Sequence, residues 1–163
     1  MPITRLNHAV LYVRDARRSA AFYTDVLGLV VRHEIGDGKA IFLRSPGSDN
    51  DHDLGLFSVG DEVGGSEAGR GTVGLYHLAW QVNTLEELGR LRAVLTERGA
   101  LVGASDHGAT KSLYARDTDG LELEVMWAVP VELLDESAES VQIAPLDLEK
   151  EKRRYGATTV STG

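Results

Sequence analysis

The sequence predicts an α+β fold built from two βαβββ modules. Three observations predict it. The segment LNHAVLYVRD from Leu6 returns as LYHLAWQVNT from Leu75, with Leu6, His8 and Val13 matched to Leu75, His77 and Val82 at a constant offset of 69. A helical pattern follows each copy, and three short strand-like runs follow each helix.

In each module the first strand is an apolar run of about eight residues, the mark of a strand with at least one buried face. In the first module Asp15 can cap a helix through Ala20, Phe22, Tyr23, Val26 and Leu27, with Gly28 as its stop. Strands are expected at 29–35, 39–45 and 52–59, the first two joined by Gly36-Asp37-Gly38. In the second module Thr84 to Glu87 has capping-box spacing, apolar residues recur at Leu85, Leu88, Leu91 and Leu95, and Gly99 ends the helix. Strands are expected at 100–105, 111–117 and 121–128, with Asp117-Thr118-Asp119-Gly120 as the last turn. The modules, 4–59 and 73–128, are joined by a glycine-rich linker and form one domain over 1–128. A helix covers one face of each sheet, so two modules can shelter their open faces as a half-closed barrel around a ligand site. Residues 129–163 form an extension with helical character from Asp147 to Tyr155. Its apolar residues Leu133, Leu134, Val141, Ile143 and Leu146 suggest packing over the cleft mouth or against a second copy, making a homo-oligomer, a dimer foremost.

Composition removes several classes of function. With 42% hydrophobic and 26% charged residues, the 163-residue chain is globular in character. No apolar run approaches the ~20 residues of a membrane span, and the N-terminus lacks the shape of a signal peptide, so a cytoplasmic location is expected. There is no cysteine, hence no disulfide framework, thiolate metal site or cysteine nucleophile. A net charge of −8 argues against nucleic acid or an anionic membrane as partner. The acidic cluster Glu132, Asp135, Glu136 and Glu139 reads as a solvated face.

Of the five histidines, His8 and His77 occupy the same position of the two repeats, so a pseudo-two-fold axis could bring them to one point. In the last strand Leu121, Leu123, Val125 and Trp127 share one face, and Glu122, Glu124 and Met126 the other. A carboxylate on the concave face of a central strand is costly to bury unless it is paired or binds a metal. Two imidazoles and one carboxylate make a facial triad with open positions, suited to Fe(II) and also to Mn(II), Zn(II) or Ni(II).

These features resemble the vicinal-oxygen-chelate superfamily of glyoxalases, bleomycin resistance proteins and extradiol dioxygenases, over residues 4–128. DTDGLELE, Asp117 to Glu124, is similar to that family's strand-turn pattern ending in the ligand glutamate, with departures at Thr118 and Leu121. The resemblance implies His8, His77 and Glu124 as metal ligands, with Glu122 outside the ligand set. Within the superfamily the chain looks most like catechol 2,3-dioxygenase-type ring-cleaving enzymes using Fe(II). His52-Asp53-Leu54 resembles the stretch supplying an acid/base histidine, and Asp106 to Tyr114 resembles a His-Gly segment leading to a tyrosine ten residues before the ligand. The implied reaction opens a catechol beside its diol with O2, with Tyr114 and His52 handling protons and His107 orienting the substrate. His33 has no counterpart there and reads as a surface residue. Two other functions stay open. One is a glyoxalase- or isomerase-type reaction without O2, for which the first module offers only Asp53 as an extra carboxylate. The other is a metal-free small-molecule-binding resistance protein.

Overall fold

The element order found in the chain is two βαβββ units followed by a short extension, in a computed structural model that describes residues 2–135 and 143–162. Glu136, Glu139 and Val141, named above in the extension, lie outside the described residues. The chain divides into two compact units: residues 2–66 with Thr118–Gly120, and residues 67–117 with 121–162. The linker supplies the boundary between Ser66 and Glu67.

The first unit holds β1 (Ala9–Val13), α1 (Ala16–Leu27), β2 (Val30–Ile35), β3 (Ala40–Arg44) and β4 (Leu54–Ser58). The sheet order is β1-β4-β3-β2, with β1 and β4 parallel and the remaining pairs antiparallel. Asp15 caps α1 by accepting from the N–H groups of Arg17 and Arg18, and Gly28 ends it in the left-handed region at φ 72°. Leu11, Val13, Ile41, Leu43, Leu54 and Leu56 face the helix and are buried. Val10, Tyr12 and Phe57 stand on the other face and are exposed. Gly36, Asp37 and Gly38 all adopt positive φ, which closes the β2–β3 hairpin.

The second unit holds β5 (His77–Gln81), α2 (Leu85–Glu97), β6 (Leu101–Asp106), β7 (Thr110–Arg116) and β8 (Glu122–Ala128). Its sheet runs β5-β8-β7-β6-β9, where β9 (Ala144–Pro145) is a two-residue edge strand from the extension. Leu85, Leu88, Leu91 and Leu95 are fully buried against the sheet, as their spacing predicts. Thr84 caps α2 through the Glu87 N–H, but the capping box is half made, because the Glu87 carboxylate pairs with Arg90 instead.

The extension is part of this unit's core. After a 3₁₀ turn (Val131–Leu133), α3 (Leu148–Tyr155) starts at the Asp147 cap and packs on α2, where Gly89 admits the Leu148 side chain at close range. Leu146, Leu148 and Tyr155 are buried, and the Trp127 indole, wholly buried, donates to the Thr159 carbonyl at 3.1 Å. Of the apolar extension residues that suggested a cover or a partner, Leu146 is thus spent inside the unit, while Leu133 and Ile143 stay exposed. Among the described residues no helix is long and apolar enough to cross a membrane.

Candidate metal and catalytic site

Sheet register places three of the expected site residues on one face of the second unit. On β8 the side chains of Leu123, Val125 and Trp127 are buried under the helices, and Glu122, Glu124 and Met126 point the other way. Antiparallel pairing sets Tyr114 of β7 directly opposite Glu124. Parallel pairing sets His77, the first residue of β5, opposite Glu122, and so diagonal to Glu124 on the same face.

Those side chains touch. His77 Nε2 lies 3.0 Å from Glu124 Oε2, with 24% and 12% of the two side chains exposed. The Tyr114 hydroxyl donates to Glu124 Oε1 at 3.4 Å and lies 2.9 Å from His107 Nε2. Burial raises the Tyr114 phenol above its ordinary pKa, and the Glu124 charge and hydrogen bond push it the same way, so Tyr114 keeps its proton across the neutral range. His107 sits in the turn between β6 and β7, where its N–H donates to the Thr110 carbonyl. His107, Tyr114, Glu124 and His77 therefore form one continuous line of polar contacts.

In the first unit the site residues form a second group. His8 lies one residue before β1, exposed, with Nδ1 2.8 Å from Asn7 Oδ1. Its ring is 4.6 Å from that of His52, which also meets Phe42 edge-on at 4.9 Å. His52 and Asp53 precede β4 in a bend, not in the expected strand, so strand alternation does not set their directions. His52 Nδ1 contacts Asp51 at 3.0 Å. The Asp53 carboxylate is committed within its loop, Oδ2 accepting from the Ser45 N–H and Oδ1 from the Ser48 hydroxyl and the Asn50 amide. Asp53 is thus occupied as a structural acceptor. His33 is exposed beside Asp51, the surface role expected of it.

The donor set of the second unit suits a divalent ion. Two ligands about 2.1 Å from one ion, a right angle apart, stand about 3 Å from each other, which is the separation of His77 Nε2 and Glu124 Oε2. His77 Nδ1 is buried without a partner among the described residues. A metal-ligating imidazole usually donates from its second nitrogen, and that support is missing here. Within neither unit do three His, Asp or Glu side chains of the described residues gather into a set that would close on a metal by itself.

Two polar clusters escaped the sequence reading. Asp119, in the expected turn from Asp117 to Gly120, has 6% of its side chain exposed and accepts from the Arg14 N–H, Arg14 Nη1 and Arg18 Nη2, each at 3.0 Å. The i,i+4 pair Arg14 and Arg18 at the head of α1 was the only available sign of it. The second cluster joins Asp106, Lys111 and Glu151, all buried. Its one sign was Lys111 on the same strand face as Leu113 and Ala115.

The comparison with known proteins settles the family. Residues 5–125 match the family model described as Glyoxalase/Bleomycin resistance protein/Dioxygenase superfamily. The chain belongs to that superfamily. It is 30% identical over 129 residues to a catechol-2,3-dioxygenase of Bacillus subtilis, covering 75% of this chain and 41% of that protein. It is 35% identical over 136 residues to a biphenyl-2,3-diol 1,2-dioxygenase of Rhodococcus globerulus, covering 80% of this chain and 68% of that protein. Among solved structures, a glyoxylase/bleomycin resistance protein/dioxygenase domain from Frankia superposes with a TM-score of 0.61 at 23% identity, over 80% of this chain and 96% of that one. This last likeness is one of fold.

Proposed function

We propose that this superfamily member is a metal-dependent extradiol dioxygenase that cleaves a catechol-type ring with O2. The observation that carries the reading is the line of contacts from His107 through Tyr114 to Glu124 and His77. It sets a proton-holding phenol, and a histidine able to relay that proton, beside a pair of candidate metal ligands. Identities of 30% and 35% to two proteins named as ring-diol dioxygenases support the same reading.

In this proposal His77 and Glu124 are two metal ligands, and His8, the repeat counterpart of His77, is the third. The bound ion, Fe(II) foremost with Mn(II), Zn(II) or Ni(II) as alternatives, supplies Lewis acidity toward the vicinal catechol oxygens and a template for O2. Proton handling falls to the side chains. With His107 in the tautomer whose Nε2 is unprotonated, Tyr114 can receive the catechol proton on oxygen while passing its own to that nitrogen. His107 then also orients the diol. His52, next to His8, donates a proton to the oxygen anion that develops as the ring opens. A dimer is proposed as the working assembly, with exposed Leu133 and Ile143 of the extension available to its contact.

The isomerase-type alternative needs an additional carboxylate from the first unit, and Asp53 already has acceptor bonds on both oxygens. Reconstitution with Fe(II) under anaerobic conditions, followed by a panel of catechols, tests the proposal. Oxygen uptake with a yellow semialdehyde-type product is expected. Metal-loaded protein that consumes no oxygen with any catechol overturns it, and protein that binds no metal points to the small-molecule-binding alternative.

A further inference from the structure

The second unit contains a buried ion cluster on the opposite side of its sheet from Tyr114. Lys111 follows Thr110 at the start of β7 and points under the helices, where both it and Glu151 of α3 are essentially inaccessible. Lys111 Nζ donates to Asp106 Oδ1 at 2.5 Å and to the Gly108 carbonyl at 3.0 Å. Asp106 Oδ1 accepts in turn from the Gly108 N–H at 2.9 Å. Glu151 Oε2 lies 3.1 Å from Nζ and completes the ion cluster. Burial pushes the Asp106 carboxyl up, but the Lys111 bond, the Gly108 N–H and the charges of Lys111 and Lys150 together hold it below the ordinary carboxylate value.

A buried ion pair is a poor source of stability, because desolvation offsets most of the attraction and apolar groups of equal volume do as well. What this one does supply is direction. Lys111 and Asp106 grip both backbone groups of Gly108, the residue after His107, and so fix the turn that aims His107 at Tyr114. Glu151 reaches Lys111 from a helix outside both repeats.

We infer that Glu151 is a positioning residue: through Lys111 it sets the His107 turn, making the C-terminal helix part of the apparatus that holds His107 Nε2 against Tyr114. Calling His107 a substrate-orienting group rests on the proposed function, but its placement does not, and the test reads placement alone.

The test uses the full chain with ¹⁵N-labelled histidine, and the His107 imidazole signal is assigned by its loss in His107→Gln. Tyr114→Phe supplies the signal of a His107 without its phenol partner. In Glu151→Gln, which keeps shape and removes charge, the His107 signal should move at least halfway from the wild-type position to the Tyr114→Phe position. Leu148→Ala loosens the same helix on α2 without touching Lys111, and should leave the signal at the wild-type position. An unmoved signal in Glu151→Gln overturns the inference, as does an equal movement in Leu148→Ala, which would make the effect one of helix docking. If Glu151→Gln does not fold, Glu151→Asp, with its charge set back by one methylene, is read against the same references. Absence of catechol turnover in the metal-loaded wild-type protein would count against the proposed function and leave this inference standing.

Discussion

His77 Nε2 stands 3.0 Å from Glu124 Oε2, two side chains brought together from neighbouring parallel strands by a diagonal step of the ladder. Glu122, two residues earlier on the same face, lies directly opposite His77 yet turns to Arg116 at 3.7 Å. In the proposed site the two glutamates therefore separate by role. Glu124→Ala should lose the metal, measured as bound metal per chain after gel filtration of Fe(II)- or Mn(II)-loaded protein, whereas Glu122→Ala should keep it. Equal retention by both variants would remove Glu124 from the ligand set.

The extension contributes to stability in a way that can be weighed. Trp127 is wholly buried, its ring centroid 5.6 Å from that of Tyr155 and its indole N–H bonded to the Thr159 carbonyl. Trp127→Ala should cost about 3–5 kcal/mol through lost burial and the cavity left behind. Trp127→Phe, which keeps a ring but drops the hydrogen bond, should cost less. Urea unfolding of both proteins checks the order, and a loss under about 1 kcal/mol for the alanine variant would show that α3 closes over the gap.

Much of this fold was legible because the chain says it twice. The apolar spacing of Leu85, Leu88, Leu91 and Leu95 and the alternation through Leu123, Val125 and Trp127 follow from periodicity, which burial enforces along a whole element. The ends of elements were less legible. His8 and His52 both fall just outside the strands expected to contain them, since strand termini depend on which partner's hydrogen bonds run out first. Clusters assembled from distant positions left almost no sign: nothing near Glu151 announces Lys111, 40 positions away. In the candidate site, the facing of Tyr114, Glu124 and His77 could be read from alternation and repeat position. That Asp53 is tied up by Ser45, Ser48 and Asn50 could not, because it depends on how one polar loop folds back on itself.

Asp53 gives a prediction about pH. Burial raises its pKa, but bonds from the Ser48 hydroxyl, the Ser45 N–H and the Asn50 amide, with the Arg44 charge, outweigh this and leave it below the ordinary value. The unfolded chain therefore binds the proton more readily than the folded one, and stability rises with pH between the two values. The contribution is complete above the ordinary aspartate pKa of about 3.9 and disappears as pH falls through the lower folded value. Asp53→Asn should be less stable than wild type at pH 7 and should lose less stability on acidification through that window. Parallel curves of urea midpoint against pH for the two proteins would show that Asp53 is not held by its loop.

Tyr114 carries the prediction that bears most directly on function. Its hydroxyl lies between His107 Nε2 at 2.9 Å and Glu124 Oε1 at 3.4 Å, and its single proton can serve only one of them at a time. Removing the oxygen in Tyr114→Phe takes away the proposed relay but leaves the Glu124 carboxylate, so metal binding should persist. Turnover of catechols should fall by ~10²-fold or more, the usual scale for a lost acid/base group. His52→Ala should behave alike, with metal retained and turnover reduced on the same scale. The raised phenol supplies an independent check. Ultraviolet titration of metal-free wild type against Tyr114→Phe should place the missing phenol above the ordinary value of about 10, because burial and the Glu124 charge both oppose its ionisation. A Tyr114→Phe protein that binds metal and turns over catechols at the wild-type rate would end the proton-relay role, whatever the family.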